Sequence, residues 1–427
     1  MNAHRIIFMV FLLLCTAAAP AARAADFLSQ LHPRISVTEE YSDNINLTPD
    51  NKKDDFTTTI RPGLQYSNMG PTSGVQLDAS LGYVMYGRDS DLNYVSAGGS
   101  LNAKYMTPQH VNFYFQDSFT RSDSSREREL FSTESENRYM VSTQRERAVY
   151  WRNAAAPTIE YQFGAENRVG VSYLNNIYRS ESASSSDSTE NKVTPFLHYW
   201  FTRENGIYLA YNYTDGDFNN EPDLEGHAVV ARYTHRVTPR FSLFTEYQFL
   251  ARRFEEAPAG SFYDYDLHEP AVGFTYAFTS TLTGSAQVGY YWQEPKVGTK
   301  QEGLSYKGAL AGAYGRTSYM MSFQSGYTED YFSSQNLGFN EYTRITGSAT
   351  HALDRKLSVG CLGSIEWLKN DVQNYKDTIW GVSGKVSYKP LKWLSFALEV
   401  SHWENDSNVD LNDYEENRAM ITITASY

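Results

Sequence analysis

Seven charged residues occupy alternate positions within otherwise apolar segments, a spacing that would place them on one polar face. They are Arg232, Glu246, Lys307, Arg344, Glu366, Lys385 and Glu399. Ser, Thr, Asn and Gln fill most of the other alternate positions. Hydroxyl and amide groups offer hydrogen-bond donors and acceptors without net charge, and they suit hydrophilic solutes. The pattern therefore indicates passage or binding of such solutes rather than a covalent reaction.

Compact motifs for catalysis or metal binding are absent from the sequence. It has no Gly-rich phosphate loop, no HExxH motif and no paired cysteines. The combinations closest to an acid–base site are His402 with Asp406, and His227 with Asp223 or Glu225. Both also fit solvated histidines at the rim of a fold. We therefore expect no enzymatic activity, no cofactor and no metal site.

The elements that must position the polar face are strands. Apolar and polar residues alternate through segments of roughly 12–16 residues, and period two places each set on one face of a strand. In the last segment, for example, Ile421 and Ile423 alternate with Thr422 and Thr424. Cys361 is in phase with Val359 and Trp367, so we expect it to face lipid rather than the lumen. The pattern predicts about twenty strands, in the range 18–20. They start near residues 34, 55, 74, 92, 110, 147, 166, 191, 206, 225, 240, 265, 281, 301, 317, 340, 356, 377, 393 and 414.

The predicted connections alternate in length and in charge. Short turns, such as 353–356 and 389–392, carry Arg and Lys, whereas long loops, such as 48–55, 180–190 and 404–413, carry Asp and Glu. Short turns on one side and long loops on the other are typical of outer-membrane barrels. A sheet that spans lipid must also close, because lipid cannot satisfy a free edge. We predict an all-β fold: a single transmembrane antiparallel up-and-down β-barrel over residues 33–427, with both ends in the periplasm.

Composition agrees with a barrel. Aromatic residues make up 15% of the chain, and the mean hydropathy of −0.52 excludes a bundle of membrane helices. Tyr and Trp near predicted strand ends would form girdles at the membrane interfaces. These residues are Tyr105, Tyr150, Trp151, Trp200, Trp292, Tyr314, Trp367, Tyr388 and Trp393. A soluble propeller or solenoid is the alternative, but a propeller has shorter strands and a motif in each repeat.

The N-terminus has the pattern of a cleaved export signal. Arg5 precedes an apolar run over residues 6–19, which is too short to span a membrane, and Ala22-Arg23-Ala24 fits the cleavage rule. We predict a signal peptide at 1–24, a short periplasmic lead at 25–32 and Sec-type export. Lipoprotein cleavage before Cys15 is the alternative, although Leu14 stands where a small residue is preferred.

The segment 122–147 is the longest connection and would be the third outer loop. In general porins this loop folds inward and narrows the pore with opposed charges. The candidate constriction residues are Arg121, Arg126, Glu127, Arg128, Glu129, Glu134, Glu136 and Arg138. The alternative is an exposed loop with internal ion pairs.

The run from Pro33 to Leu47, followed by the element from Ile60 to Leu64, resembles the start of the putative beta-barrel porin 2 type of proteins. The turns at 106–109 and 237–242 have the same style. Relatives of this kind often sit at exopolysaccharide and exosortase (PEP-CTERM) loci, so the resemblance implies polymer export across the outer membrane. It implies no catalytic residues.

Three functions follow as hypotheses. The first is passive export of an exopolysaccharide, with periplasmic polysaccharide-export components as partners. The second is a general diffusion porin for small hydrophilic solutes, and the third is a surface enzyme or adhesin using the acidic loops. The expected location is the Gram-negative outer membrane. There, the expected partners are outer-membrane lipid, lipopolysaccharide and the barrel-assembly machinery, which would read the final strand ending in Tyr427; no nucleic acid is expected.

Overall fold

The computed structural model describes residues 30–123, 148–182, 187–255, 264–332, 338–370 and 374–427. Within these ranges the chain forms twenty β-strands and two single-turn 3-10 helices, Ser90–Leu92 and Asp410–Asn412. The predicted signal peptide at 1–24, most of the lead at 25–32 and loop residues 124–147 lie outside the described residues. No described helix is long and apolar enough to cross a membrane.

The strands follow one another with only turns and loops between them. They are β1 Leu31–Ser42, β2 Asp55–Met69, β3 Ser73–Tyr86, β4 Tyr94–Met106, β5 Val111–Ser122, β6 Tyr150–Gln162, β7 Arg168–Ser180, β8 Ser188–Trp200, β9 Asn205–Phe218, β10 Leu224–Thr238, β11 Phe241–Phe254, β12 Tyr265–Ala277, β13 Leu282–Pro295, β14 Gln301–Tyr314, β15 Thr317–Asp330, β16 Gly338–Ala352, β17 Leu357–Asn370, β18 Tyr375–Leu391, β19 Leu394–Ser407 and β20 Tyr414–Ser426. Each begins within three residues of its predicted start.

Antiparallel pairing closes the sheet into a barrel, which confirms the predicted fold. Every strand pairs with the next along the chain, and β1 pairs with β20 from Arg34–Ser426 to Ser42–Arg418. The backbone N–H of Tyr427 donates to the carbonyl of Pro33 at 2.9 Å, so the two ends of the barrel meet on the short-turn side. Because every described strand has a partner strand on both sides, the sheet has no edge strand that would face hydrocarbon.

The outer face of the wall is apolar. Leu304, Ile421 and Val400 each expose about half of their surface on this face. Cys361 is exposed in phase with Trp367, so it also points outward, as the alternation predicts. A continuous apolar face outside the wall is what a membrane-spanning barrel presents to lipid.

Two of the predicted girdle residues lie on the inner face instead. Tyr150 is buried and shares its face of β6 with Arg152, while Trp200 packs beneath the guanidinium of Arg236 at 3.5 Å. The phase of each strand puts these rings inside, so their aromatic character alone was misleading. Two predicted long loops are also shorter than expected, because residues 188–190 belong to β8 and residues 404–407 to β19.

Candidate functional site in the barrel lumen

The wall opens at one seam, between β14 and β15. The hydrogen-bonded ladder of this pair ends at Tyr306–Ser325, yet β14 continues to Gln301 and β15 continues to Asp330. From residue 326 onward β15 pairs only with β16. We call residues 326–332 and 338–340 the inner hairpin. Here the strand pair leaves the wall and enters the lumen.

Gly326 marks the point of departure. Its φ of +149° lies in a backbone region that residues with a side chain rarely adopt. A Cβ placed on Gly326 would lie 3.2 Å from Cβ of Ser305 on β14. Glycine therefore allows the backbone to turn inward and to pass close over β14.

A buried ion pair anchors the inner hairpin to the wall. Arg252 on β11 donates to both carboxylate oxygens of Glu329, at 3.0 and 2.5 Å, and the two side chains are 7% and 3% exposed. Tyr265 on β12 also donates to Glu329, and its hydroxyl lies 2.8 Å from that of Tyr331. Two parallel N–H···O bonds fix the orientation of the carboxylate as well as its charge.

Aromatic packing completes the anchor. Tyr327 packs against Tyr291 of β13 with ring centroids 5.1 Å apart, and Phe332 stacks on Phe218 of β9 at 5.3 Å. Gly216 lies so close to the Phe332 ring that a Cβ would approach it to 2.8 Å. The buried cluster also includes Leu224, Ala228, Leu250, Tyr265, Leu267, Tyr331 and Phe339. The lumen thus contains an apolar core in its outer half, the half next to the long loops.

The inner hairpin reaches far across the lumen. Arg152 of β6 donates to the backbone carbonyl of Phe332 at 2.5 Å. Since β6 is nine strands from β15 in a wall of twenty, this contact lies nearly opposite the point where the hairpin enters. The hairpin therefore narrows the lumen.

A carboxyl group with a raised pKa lies at the edge of this apolar cluster. Glu221 lies in the 219–223 loop, whose flanking residues Phe218 and Leu224 both belong to the apolar cluster. Burial raises the pKa of Glu221 to about 7.

A second segment, the first outer loop at 43–54, folds inward on another part of the wall. Ile45 packs with Val84 and Tyr86 of β3, and Leu47 packs with Trp403 of β19. Asn44 ties the loop down: its amide donates to the carbonyls of Thr48 and Glu415, at 2.8 and 3.0 Å. The β1–β2 and β1–β20 ladders beside it stay paired up to Ser42.

The seven predicted lumen charges all lie on the inner face, and most are paired. The pairs are Arg232 with Glu246 at 2.6 Å, Arg344 with Glu366 at 2.9 Å, and Lys385 with Glu399 at 3.7 Å. Lys307 forms no ion pair with the described part of the chain. It lines a cavity of about 500 Å³ below the hairpin, together with Arg344. The register aligns Gln287, Lys307, Gln324, Arg344 and Glu366 in one row across β13–β17.

The predicted constriction loop is described only at its start. Arg121 lies on the outer face of β5, in phase with Phe113 and Phe119, and contacts Glu181 at 3.6 Å. This residue therefore does not line the lumen. Arg126, Glu127, Arg128, Glu129, Glu134, Glu136 and Arg138 lie outside the described residues.

The two histidine candidates also face outward. His227 contacts Tyr211 and Glu225, at 2.6 and 3.4 Å, and His402 contacts Asn417 at 2.9 Å. No described group of three His, Cys, Asp or Glu side chains could hold a metal ion.

The inner hairpin and its anchors were not predicted from the sequence. A signal was present: Leu250, Leu267 and Tyr291 are apolar residues at inner-face positions, where polar residues were expected. Such residues need an apolar partner inside the barrel.

A closed barrel with an apolar outer face and a polar inner wall is an outer-membrane β-barrel of the porin-like class. The family model described as Putative beta-barrel porin 2 matches residues 22–427, and the chain belongs to this family. No curated protein matches the sequence.

Solved structures are similar to this chain in fold. The siderophore receptor PirA from Pseudomonas aeruginosa is 10% identical, with 93% of this chain and 80% of that chain covered and a TM-score of 0.51. The ferric citrate transporter FecA in the unliganded form is 10% identical, covers 93% and 79%, and also has a TM-score of 0.51. The outer membrane protein opdK from Pseudomonas aeruginosa is 10% identical, covers 93% and 100%, and has a TM-score of 0.44. None of these assigns a solute to this chain.

Proposed function

We propose that the barrel is a passive channel for small hydrophilic solutes and that the inner hairpin sets its aperture. One observation carries the proposal: an otherwise polar lumen is crossed in its outer half by a hairpin anchored on β6, β9 and β11–β13. A barrel of about twenty strands is otherwise too wide to be filled by its own wall side chains.

When the channel opens, the hairpin can leave the lumen and pair with residues 301–305 of β14 at the seam. If the β14–β15 register is extended beyond Tyr306–Ser325, Leu304 pairs with Tyr327 and Gln301 pairs with Asp330. Both strands end at this last pair, so β15 can pair with β14 along its full length and no residue of either strand is left over. We call this fully paired arrangement the zipped state. Zipping would set Glu302 opposite Glu329, and like charges opposed across strands are destabilising. The inward state, in which Glu329 is paired with Arg252, is therefore more stable than the zipped state.

Exopolysaccharide export, which the family resemblance implies, would need this hairpin to leave the lumen for as long as polymer passes. It remains the competing hypothesis, with periplasmic export components as its partners. Sec-type export, and insertion by the barrel-assembly machinery through β20, belong to both proposals. Contact with outer-membrane lipid and lipopolysaccharide belongs to both as well.

The test is the size limit for sugars in liposome swelling. The first variant replaces residues 327–339 with a short turn. The control removes residues 297–299 from the neighbouring outer loop, where Val297 is exposed. Wild type and control should admit a monosaccharide and reject longer oligosaccharides, whereas the hairpin variant should admit the longer ones. Heat-dependent mobility on a denaturing gel checks that each barrel is folded.

An unchanged size limit in the hairpin variant would refute the aperture. A host strain lacking the protein decides between the two functions. Loss of surface polysaccharide in that strain would favour export, while normal polysaccharide with reduced uptake of small sugars would favour the channel.

A further inference from the structure

One cation in the lumen cavity has no acidic partner. Four basic side chains line the cavity, and three of them lie beside an acid. These three are Arg252 with Glu329, Arg344 with Glu366, and Lys192 with Glu190. The fourth, Lys307, is exposed to the lumen and pairs with no described acid. Its ammonium group is therefore available to a solute.

The two acids that line the cavity are buried, unlike Lys307. Glu329 is held by Arg252, and Glu269 is buried at 4% exposure, where it accepts a hydrogen bond from Ser305 at 2.5 Å. Lys307 is thus the most exposed of the charged side chains that line the cavity.

Neutral hydrogen-bond donors line the cavity together with Lys307. Gln324 is its direct neighbour on β15, and Gln248 and Asn212 line the same cavity. Thr194 donates to Oδ1 of Asn212 at 2.6 Å, which leaves the N–H groups of that amide for other acceptors. A carboxylate accepts several such bonds at once, and a hydrogen bond to a charged partner is the stronger kind.

We propose that Lys307 and these amides bind the carboxylate of a small hydrophilic acid, such as a uronic or aldonic acid. The cavity volume of about 500 Å³ lies within the range of small-ligand sites, roughly 300–1,000 Å³. The proposal rests on the channel function above, because the acid must reach the site through the lumen.

The experiment measures block of single-channel current by galacturonate in planar bilayers, with galactose as the uncharged comparison. Lys307→Gln removes the charge at the site, and Lys307→Arg keeps it. Lys385→Gln is the matched control: it removes an inner-face lysine that does not line the cavity and is paired with Glu399. We expect galacturonate to block wild type, Lys307→Arg and Lys385→Gln. In Lys307→Gln the block should weaken by about tenfold, as expected for loss of a charged hydrogen-bond partner.

Equal block in wild type and Lys307→Gln would overturn the site. An equal loss in Lys385→Gln would also overturn it, because the effect would then be the general field of the lumen. A barrel that inserts but conducts no salt would refute the channel itself, whereas conduction without galacturonate block refutes only the site.

Discussion

The first outer loop and the inner hairpin both enter the lumen, but they differ in what happens to the wall beside them. Next to the first outer loop the ladders stay intact up to Ser42, and Asn44 ties the loop to β20. Next to the inner hairpin the β14–β15 ladder stops at Tyr306–Ser325, and five residues of each strand remain unpaired with the other. The first is a fixed lining. In the proposed channel the second is a separable element with two partners, the lumen anchor and the edge of β14.

The largest expected effect comes from breaking the ion pair between Arg252 and Glu329, which holds the inner hairpin in the lumen. Arg252→Gln leaves Glu329 buried without its charge partner, which costs about 3–5 kcal/mol in a buried pair. Because Glu329 belongs to the hairpin, this cost falls on the inward state. Channel conductance should rise, as measured in planar bilayers.

The control for that variant is Arg344→Gln. Arg344 and Glu366 form an equally buried pair, but both belong to the wall. Its loss should lower the urea midpoint for barrel unfolding and leave the hairpin in place. If both variants change conductance alike, the distinction between hairpin and wall is wrong.

The second effect concerns the hinge. Gly326→Ala forces a side chain into a backbone region that costs about 1–3 kcal/mol for residues other than glycine. The strain exists only in the inward state, so the population of open channels should increase in single-channel recordings. Gly347→Ala in β16 is the matched control, because nothing lies within 4 Å of the position of its Cβ. A closed channel in Gly326→Ala, indistinguishable from wild type, would argue against a hinge at this residue.

The third prediction tests whether the first outer loop is a fixed lining of the lumen. Asn44→Ala removes partly buried hydrogen bonds to Thr48 and Glu415 and should destabilise the barrel by about 1–3 kcal/mol. Urea unfolding in detergent measures this loss. Conductance should stay at the wild-type value, and Lys52→Ala, which removes an exposed ion pair with Glu415, should change neither quantity. A conductance change in Asn44→Ala would make the first outer loop a gate as well.

The smallest effect is a pH dependence at the rim. The pKa of Glu221 is raised by burial to about 7, above the ordinary value for Glu, so the packed loop prefers the protonated form. Packing of this loop against the cluster is therefore strongest at low pH and weakens as pH rises through about 7. Open events should become more frequent between pH 6 and pH 8. Glu221→Gln should abolish this trend, and an identical trend in that variant would assign it to another group.

Much of the fold was predictable because period-two alternation is local. It located every strand start to within three residues and put Cys361 and Trp367 on the outer face. The girdle assignment, which used aromatic character alone, failed at Tyr150 and Trp200, because both residues have the inner phase.

The candidate site was predictable only in part. Lys307 could be assigned to the inner face from its strand, but its lack of an acidic partner depends on which side chains the register brings beside it. The apolar inner-face residues Leu250, Leu267 and Tyr291 indicated that an apolar partner lies in the lumen. The hairpin could not be identified as that partner, because Tyr327 and Glu329 continue the alternation of β15. The partner of Glu329 is 77 residues away, and no local pattern joins it to Arg252.

The most direct test of the separable hairpin is a disulfide that holds it in the wall. Leu304→Cys and Tyr327→Cys, in a Cys361→Ser background, become cross-strand neighbours only when β14 and β15 zip beyond Tyr306–Ser325. Oxidation should trap the zipped state, raise the conductance severalfold and remove the size limit for sugars, and reduction should restore the wild-type values. A disulfide that forms completely while conductance and size limit stay unchanged would contradict the account.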